Sequence, residues 1–328
     1  MNETSAQPNI ALKPADTRLR DMGIALTASA IPAVYYYGRR ALVLALVCVS
    51  LSLVCHAFLR RISGKKAFSG LSGGYVCGMM MFLALPVSVP LNIAAFGVTT
   101  AAVTAAILGL PDDCAVSPNS AAILLISYCF PRVLIVFVPV FTELPVTDYV
   151  VPDETVNSFF GSLITIGITP YTTADLFSGR LAFTLGGGCV VMLCAAALLL
   201  LLRRTVSFSA LLSFIVSYLL AAFLFIPRSG TVDLPKIFIF SLSGVLFPLL
   251  FAVLPQTGKF LTHSSKAAYG LIAGFLCGVF AFVSKTELAG WFCAAAMSPL
   301  AVYFSEKHWT PKVFLPKSFF KIKLSRLD

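Results

Sequence analysis

Residues 181–204 read LAFTLGGGCVVMLCAAALLLLLRR, an uncharged apolar run closed by Arg203-Arg204. A bilayer core is crossed by roughly 20 such residues in helical form. The run holds Gly186-Gly187-Gly188, small residues that let helices approach closely or admit a cofactor. Comparable runs lie at 22–38, 41–59, 70–87, 91–110, 119–141, 208–226, 237–254, 267–283 and 288–304. The expected fold is therefore an all-α polytopic membrane protein with about ten transmembrane helices. Composition agrees. Of 328 residues, 58% are hydrophobic and 12% charged, with a mean hydropathy of +0.91. Soluble domains carry about 25% charged residues. A soluble globule, a disordered tail, collagen and a coiled coil are all excluded.

The net charge of +10 points to topology and not to nucleic acid, because the basic residues sit in short loops and the C-terminal tail. With ten spans, seventeen basic residues fall on the side of the N-terminus and six on the other. Both termini are then cytoplasmic. The Arg39-Arg40 pair is the main dissent. The first apolar run lacks a small-residue cleavage site and reads as a retained span. Nine cysteines, mostly in apolar runs and without CxxC spacing, read as small buried hydrophobes. His56, His263 and His308 are too scattered for a metal site.

The longest connection, residues 142–180, falls outside the cytoplasm and divides the chain. The expected parts are a cytoplasmic segment 1–20, a five-helix half 21–141, the loop, a second half 181–305 and a basic tail 306–328. An odd number of spans inverts the second half, as in inverted-repeat membrane proteins. A weak echo supports this. Phe68-Ser69-Gly70-Leu71-Ser72-Gly73 leads to Leu85-Pro86, and Phe240-Ser241-Leu242-Ser243-Gly244 leads to Leu254-Pro255. Proline breaks at such points need protein or a polar cavity to receive the freed backbone groups.

Groups that carry chemistry are few. No carboxylate falls inside an expected span, so no proton relay is visible. Arg132 follows Pro131 within the fifth run; it either binds an anion or snorkels from a helix break. Ser117 or Asn119 can cap the following helix, whose N-terminus favours an anion. No Walker loop, HExxH or nucleophile–base pairing is present. The basic tail suits an anionic lipid surface or simply records orientation.

These residues resemble the RnfD component of the Rnf electron-transport complex and the NqrB component of the sodium-pumping NADH:quinone reductase. The likeness runs over roughly residues 15–305. It includes Arg18-Leu19-Arg20-Asp21-Met22, Ile31-Pro32, Tyr35-Tyr36-Tyr37-Gly38, Ser72-Gly73 to Leu85-Pro86, and Ser117-Pro118-Asn119 leading to Pro131. The resemblance implies FMN joined by a phosphoester to a threonine in the external loop. Gly167, Thr169 and Pro170 match that motif, but its serine, alanine and acidic positions are Ile166, Ile168 and Ile164. A second familial acid, near the end of the eighth helix, is Leu254 here.

The implied function is a divergent membrane subunit of an Rnf-like, ion-translocating ferredoxin:NAD oxidoreductase in the bacterial inner membrane. It would hold FMN at Gly167, Thr169 and Pro170, with Ser117, Asn119 and Arg132 as further lining, and relay electrons between partner membrane subunits. It would not turn over alone. The alternatives are a small-solute transporter or channel with inverted repeats, and a structural subunit of the redox complex that has lost its flavin. Reporter fusions test the charge reading. Both the N- and C-terminal fusions should report from the cytoplasm, and a C-terminal fusion reporting from the opposite face would make the span count odd.

Overall fold

The computed structural model describes residues 15–62, 71–107, 117–142, 144–146, 156–157, 171–226, 234–260 and 263–304. Most of the described residues are helical. Helix α1 is Ala15–Ile62, α2 Leu71–Ala84, α3 Leu91–Ile107 and α4 Pro118–Cys129. After the loop come α5 Thr173–Ser178, α6 Val190–Leu202, α7 Phe208–Phe225, α8 Leu234–Pro248, α9 His263–Phe282 and α10 Ala289–Phe304. Four helical stretches are long and apolar enough to cross a membrane: Asp16–Ile62, Phe208–Phe225, Ile239–Gly258 and His263–Phe282. Helices α2, α3, α4, α6 and α10 are apolar but shorter.

The first two expected spans form one element bent at Gly38, whose φ of 55° and ψ of −132° are not helical. That conformation is open to glycine and strained for a residue with a Cβ. Helix α1 packs on α2 and α3, and α3 packs on α4. In the later part of the chain α7 packs on α9, α9 on α10, and α10 on α8. The outward faces remain apolar. Leu42, Leu46, Val54 and Phe58 on α1, and Leu212, Val216, Leu219 and Phe223 on α7, are all exposed. Leaving one such side chain in water forgoes about 1.5–3 kcal/mol. These surfaces suit hydrocarbon.

Two expected spans are shorter than the apolar runs that announced them. The 119–141 run is helical only to Cys129. Phe130 precedes Pro131 and is driven out of the helical region (φ −135°, ψ 60°). A 3-10 turn, Pro131–Val133, and a short strand β1, Val136–Phe137, follow. Strand β1 pairs antiparallel with β2, Val156–Asn157. Likewise α6 begins at Val190, so residues 181–189 are not helical, and 181–187 of them are buried.

That buried irregular segment has a partner. Gly186 N–H donates to Leu83 O (2.7 Å) and Leu185 N–H to Leu85 O (3.2 Å). These carbonyls end α2 just before Pro86, where no helical N–H follows to bond them. Gly186 lacks the room for a side chain: a Cβ would lie 2.8 Å from Phe247 and 2.9 Å from Leu83. Gly186 and Gly187 therefore serve close packing, with a Cβ on Gly187 only 2.6 Å from Phe183. Phe183 stacks on Phe137 at 5.5 Å, so β1 covers the same place. Helix α8 also breaks nearby, through a π turn at Leu249–Val253 and a 3-10 turn at Leu254–Lys259.

The tightest helix pair is α7 with α9. Gly270, Gly274 and Gly278 lie at four-residue spacing on one side of α9. A Cβ on Gly274 would overlap Phe214 O and Ser217 Oγ, and one on Gly270 would overlap Ala210 O and Ser213 Oγ. Gly274→Ala should destabilise the protein by about 1–3 kcal/mol through overpacking. Gly188→Ala, whose nearest atoms would be 3.8 Å away, should change stability by less than about 0.5 kcal/mol. Thermal unfolding in detergent checks the contrast, and equal effects would contradict the packing.

Candidate functional site

The bend at Gly38 gathers three pieces of chain around Tyr35, Tyr36, Tyr37 and Arg40. Arg40 is 3% exposed. Its Nη2 donates to Val89 O at 2.8 Å, its Nε to Val87 O at 3.5 Å and its Nη1 to Val146 O. Tyr37 donates its hydroxyl to Val138 O (3.2 Å), and Tyr36 donates to Ser178 O. Phe141 packs edge-on against Tyr35 and Tyr36 and donates its N–H to Tyr36 O. Ser88 Oγ donates to Val136 O at 2.6 Å. The arms that lead into and out of the 142–180 loop are thus both tied to α1.

The trailing arm is built by α5. Thr172 Oγ1 accepts from Asp175 N–H (3.3 Å), and Asp175 Oδ2 accepts from Thr172 N–H (2.9 Å) and from its hydroxyl (2.7 Å). This reciprocal cap satisfies N–H groups left free at a helix start. Gly179 closes the helix with φ 85° and donates to Asp175 O (2.9 Å). A Cβ there would lie 2.8 Å from Cys189 Cβ. The hydrogen bonds from the Thr172 hydroxyl and N–H hold the Asp175 carboxyl below the ordinary carboxylate range, with Arg180 assisting.

A second polar cluster sits at the start of α4. Asn119 is 2% exposed, and its Oδ1 accepts from Cys77 Sγ at 3.2 Å. Ser117 is the N-cap residue, but its side chain makes no capping bond. Ser117 Oγ and Ser120 Oγ are buried without a hydrogen-bond partner. Pro118 at the first helical position gives up an N–H that would have been free anyway. Ser52, on α1, donates its hydroxyl to Gly74 O (2.7 Å), and His56 Nδ1 meets Ser52 O (3.0 Å). With Oδ1 taken by the thiol, Asn119 has its amide N–H groups left to donate. The cluster is rich in donors.

Arg132 belongs to neither cluster. It lies in the 3-10 turn beyond the C-terminal end of α4 and is exposed. The twelve-residue helix between them, about 18 Å long, separates it from Ser117. It stands past the end of the helix and not within it. The structure therefore brings Ser117 and Asn119 together and leaves Arg132 apart. Thr169, Gly167 and Pro170 lie outside the described residues.

Sequence reasoning passed over Asp21 and Arg40. Asp21 is buried where α1 meets the α6–α7 turn, and its Oδ2 accepts from Thr205 Oγ1 at 3.5 Å. It sits just ahead of the first apolar run, where a carboxylate looks like a cytoplasmic flank. Cys77 carried no signal beyond its apolar surroundings. Among the described residues no group of three or more His, Cys, Asp or Glu side chains could hold a metal ion.

The Asp175 cap gives a pH dependence with a definite sign. A carboxyl whose folded-state pKa is depressed contributes stability at neutral pH that is lost as pH falls through that value. The protection of amides 171–179, taken relative to the intrinsic exchange rate at each pH, should therefore fall in acid, below the ordinary carboxylate pKa of about 4. Asp175→Ala should show the same loss of protection at pH 7, and protection unchanged by the substitution would mean that the cap does not hold this arm.

No curated protein matches this chain. The model of the NQR2, RnfD, RnfE family matches it over residues 4–314, nearly its whole length. That family comprises membrane subunits of ion-translocating redox complexes, which fits the apolar outward faces and the buried, hydrogen-bonded helix breaks. The chain belongs to the NQR2, RnfD, RnfE family.

Proposed function

We propose that this chain is a membrane subunit of an Rnf-like ferredoxin:NAD oxidoreductase that holds FMN and relays electrons. The observation that carries the reading is the family match across residues 4–314, together with a long loop whose two arms are both bonded to α1. A tethered loop is what a fixed electron carrier needs, because transfer depends on where the cofactor is held. In this reading Thr169 carries the flavin through its hydroxyl, beside Gly167 and Pro170. Bound FMN would supply one- and two-electron chemistry.

The chain's own residues do the placing. Tyr36, Tyr37 and Arg40 anchor the arms. Ser117, Ser120 and Asn119 offer buried donors, two of them unpartnered hydroxyls, that suit a ligand rich in acceptors. An isoalloxazine ring has such acceptors, so the α4 cluster fits a second, noncovalent flavin contact. Arg132, exposed at the other end of α4, is kept only as a surface cation facing the loop side.

The proposal includes ten crossings in two inverted halves, both termini in the cytoplasm and a bacterial inner membrane location. Part of the contact order is in keeping with the halves: α1–α3, α3–α4 and α4–α2 in the first have counterparts in α7–α9, α9–α10 and α10–α8, although the close α1–α2 contact has none between α7 and α8. Partner membrane subunits complete the electron path, and the chain alone should not turn over.

A second reading, a structural subunit without flavin, is favoured by one observation. Leu254 stands where typical members carry an acid, and it is fully buried among apolar neighbours. Peptide mass spectrometry of the chain from its own host membrane, covering residues 155–180, separates the two. An FMN-sized addition on Thr169, absent in Thr169→Val, is the expected result. A bare peptide together with no extractable flavin would sink the carrier reading and leave the structural one.

A further inference from the structure

We infer that Arg40 is a positioning residue, tying the leading arm of the 142–180 loop to the turn between α2 and α3. Three backbone carbonyls converge on this one guanidinium: Val87 and Val89 from the α2–α3 turn, and Val146 from the leading arm. Among the described residues no carboxylate shares it. A buried cation without an anion is costly unless its donors are all directed at acceptors. Arginine presents five N–H groups in a fixed planar fork, so it can hold several carbonyls of different segments at once.

Arg40 and the leading arm therefore depend on each other. The arm supplies a carbonyl that solvates the buried charge, and the charge holds the arm down. If the arm leaves, Arg40 loses an acceptor and gains by turning outward into water, as its exposed neighbour Arg39 already does. Gly38 makes the inward setting available. Its φ of 55° breaks the helix two residues before Arg40 and resets the direction of the side chains that follow. This also accounts for an arginine pair on the face where basic residues are scarce. One of the two, Arg40, is a structural cross-link.

The inference rests on the proposed function only in assigning a purpose to the tether, namely to hold the chain that leads to Thr169. The test is built to fail separately from that reading. The full-length protein, in native membrane vesicles oriented with the loop face outward, is treated with a glutamate-specific protease. Glu143 and Glu154 lie in the loop sequence, and Glu287 lies between α9 and α10 as an internal control.

Arg40→Met should quicken cleavage at Glu143 or Glu154 by roughly tenfold or more, as expected for the loss of hydrogen bonds to a charged donor. Cleavage at Glu287 should be unchanged, and Arg39→Gln should leave every rate at the wild-type value. Arg40→Lys keeps the charge but cannot reach three carbonyls, so it should also release the arm. Unchanged loop cleavage in Arg40→Met would overturn the inference. So would an equal rise at Glu287, because Arg40 would then support the fold generally. If Arg40→Met does not fold, Arg40→Lys decides on the same two criteria. Flavin on the 155–180 peptide is read in parallel. A wild-type chain with no flavin would defeat the carrier reading and leave the protease result standing.

Discussion

Two hydrogen bonds, Gly186 N–H to Leu83 O and Leu185 N–H to Leu85 O, hold the point on which this architecture depends. An apolar interior offers no water to a free carbonyl, and leaving one unpaired costs several kcal/mol. Pro86 ends α2 inside the packed core, and the carbonyls it frees must be met by the chain. The irregular stretch 181–189 does this with its backbone. Its glycine at 186 is what allows the approach, because a side chain there would strike Phe247 and Leu83. A segment from the later part of the chain thus closes a gap in the earlier part.

The same rule explains the polar groups at the periphery. Arg40 is solvated by carbonyls of the α2–α3 turn and of the leading arm, so a charge that opposes the topology pattern becomes part of the packing. Tyr36 and Tyr37 repeat the device with hydroxyl donors. On the α7–α9 contact the demand is met differently. Ser213 and Ser217 return their hydroxyls to carbonyls three residues back, and the facing glycines let the two backbones close. At the start of α4 the rule is left unmet, with Ser117 and Ser120 buried and unpartnered.

The candidate site was partly legible in the sequence. Ser117-Pro118-Asn119 announced a helix start, and the start is there; its side chains are not spent on capping. Arg132 looked intramembrane because it lies inside an apolar run, yet Pro131 ends the helix before it and turns it to the surface. Apolar runs report burial and not helix, which is why 119–141 and 181–202 both promised longer helices than formed. Arg40 was read as a topology anomaly because charge counting has no means of seeing three carbonyls that arrive from distant segments.

The class was settled by the sequence: long apolar runs with few charges inside them have only bilayer or protein in which to bury their surface, and that forces helices. It also marked the breaks, because proline lacks an N–H and glycine lacks a Cβ wherever they stand. Tertiary structure alone decided which groups repair each break and which charges are buried. Those outcomes depend on atoms brought together from positions as far apart as Leu83 and Gly186, or Arg40 and Val146, and hydrogen bonds act over about 3 Å whatever the separation along the chain.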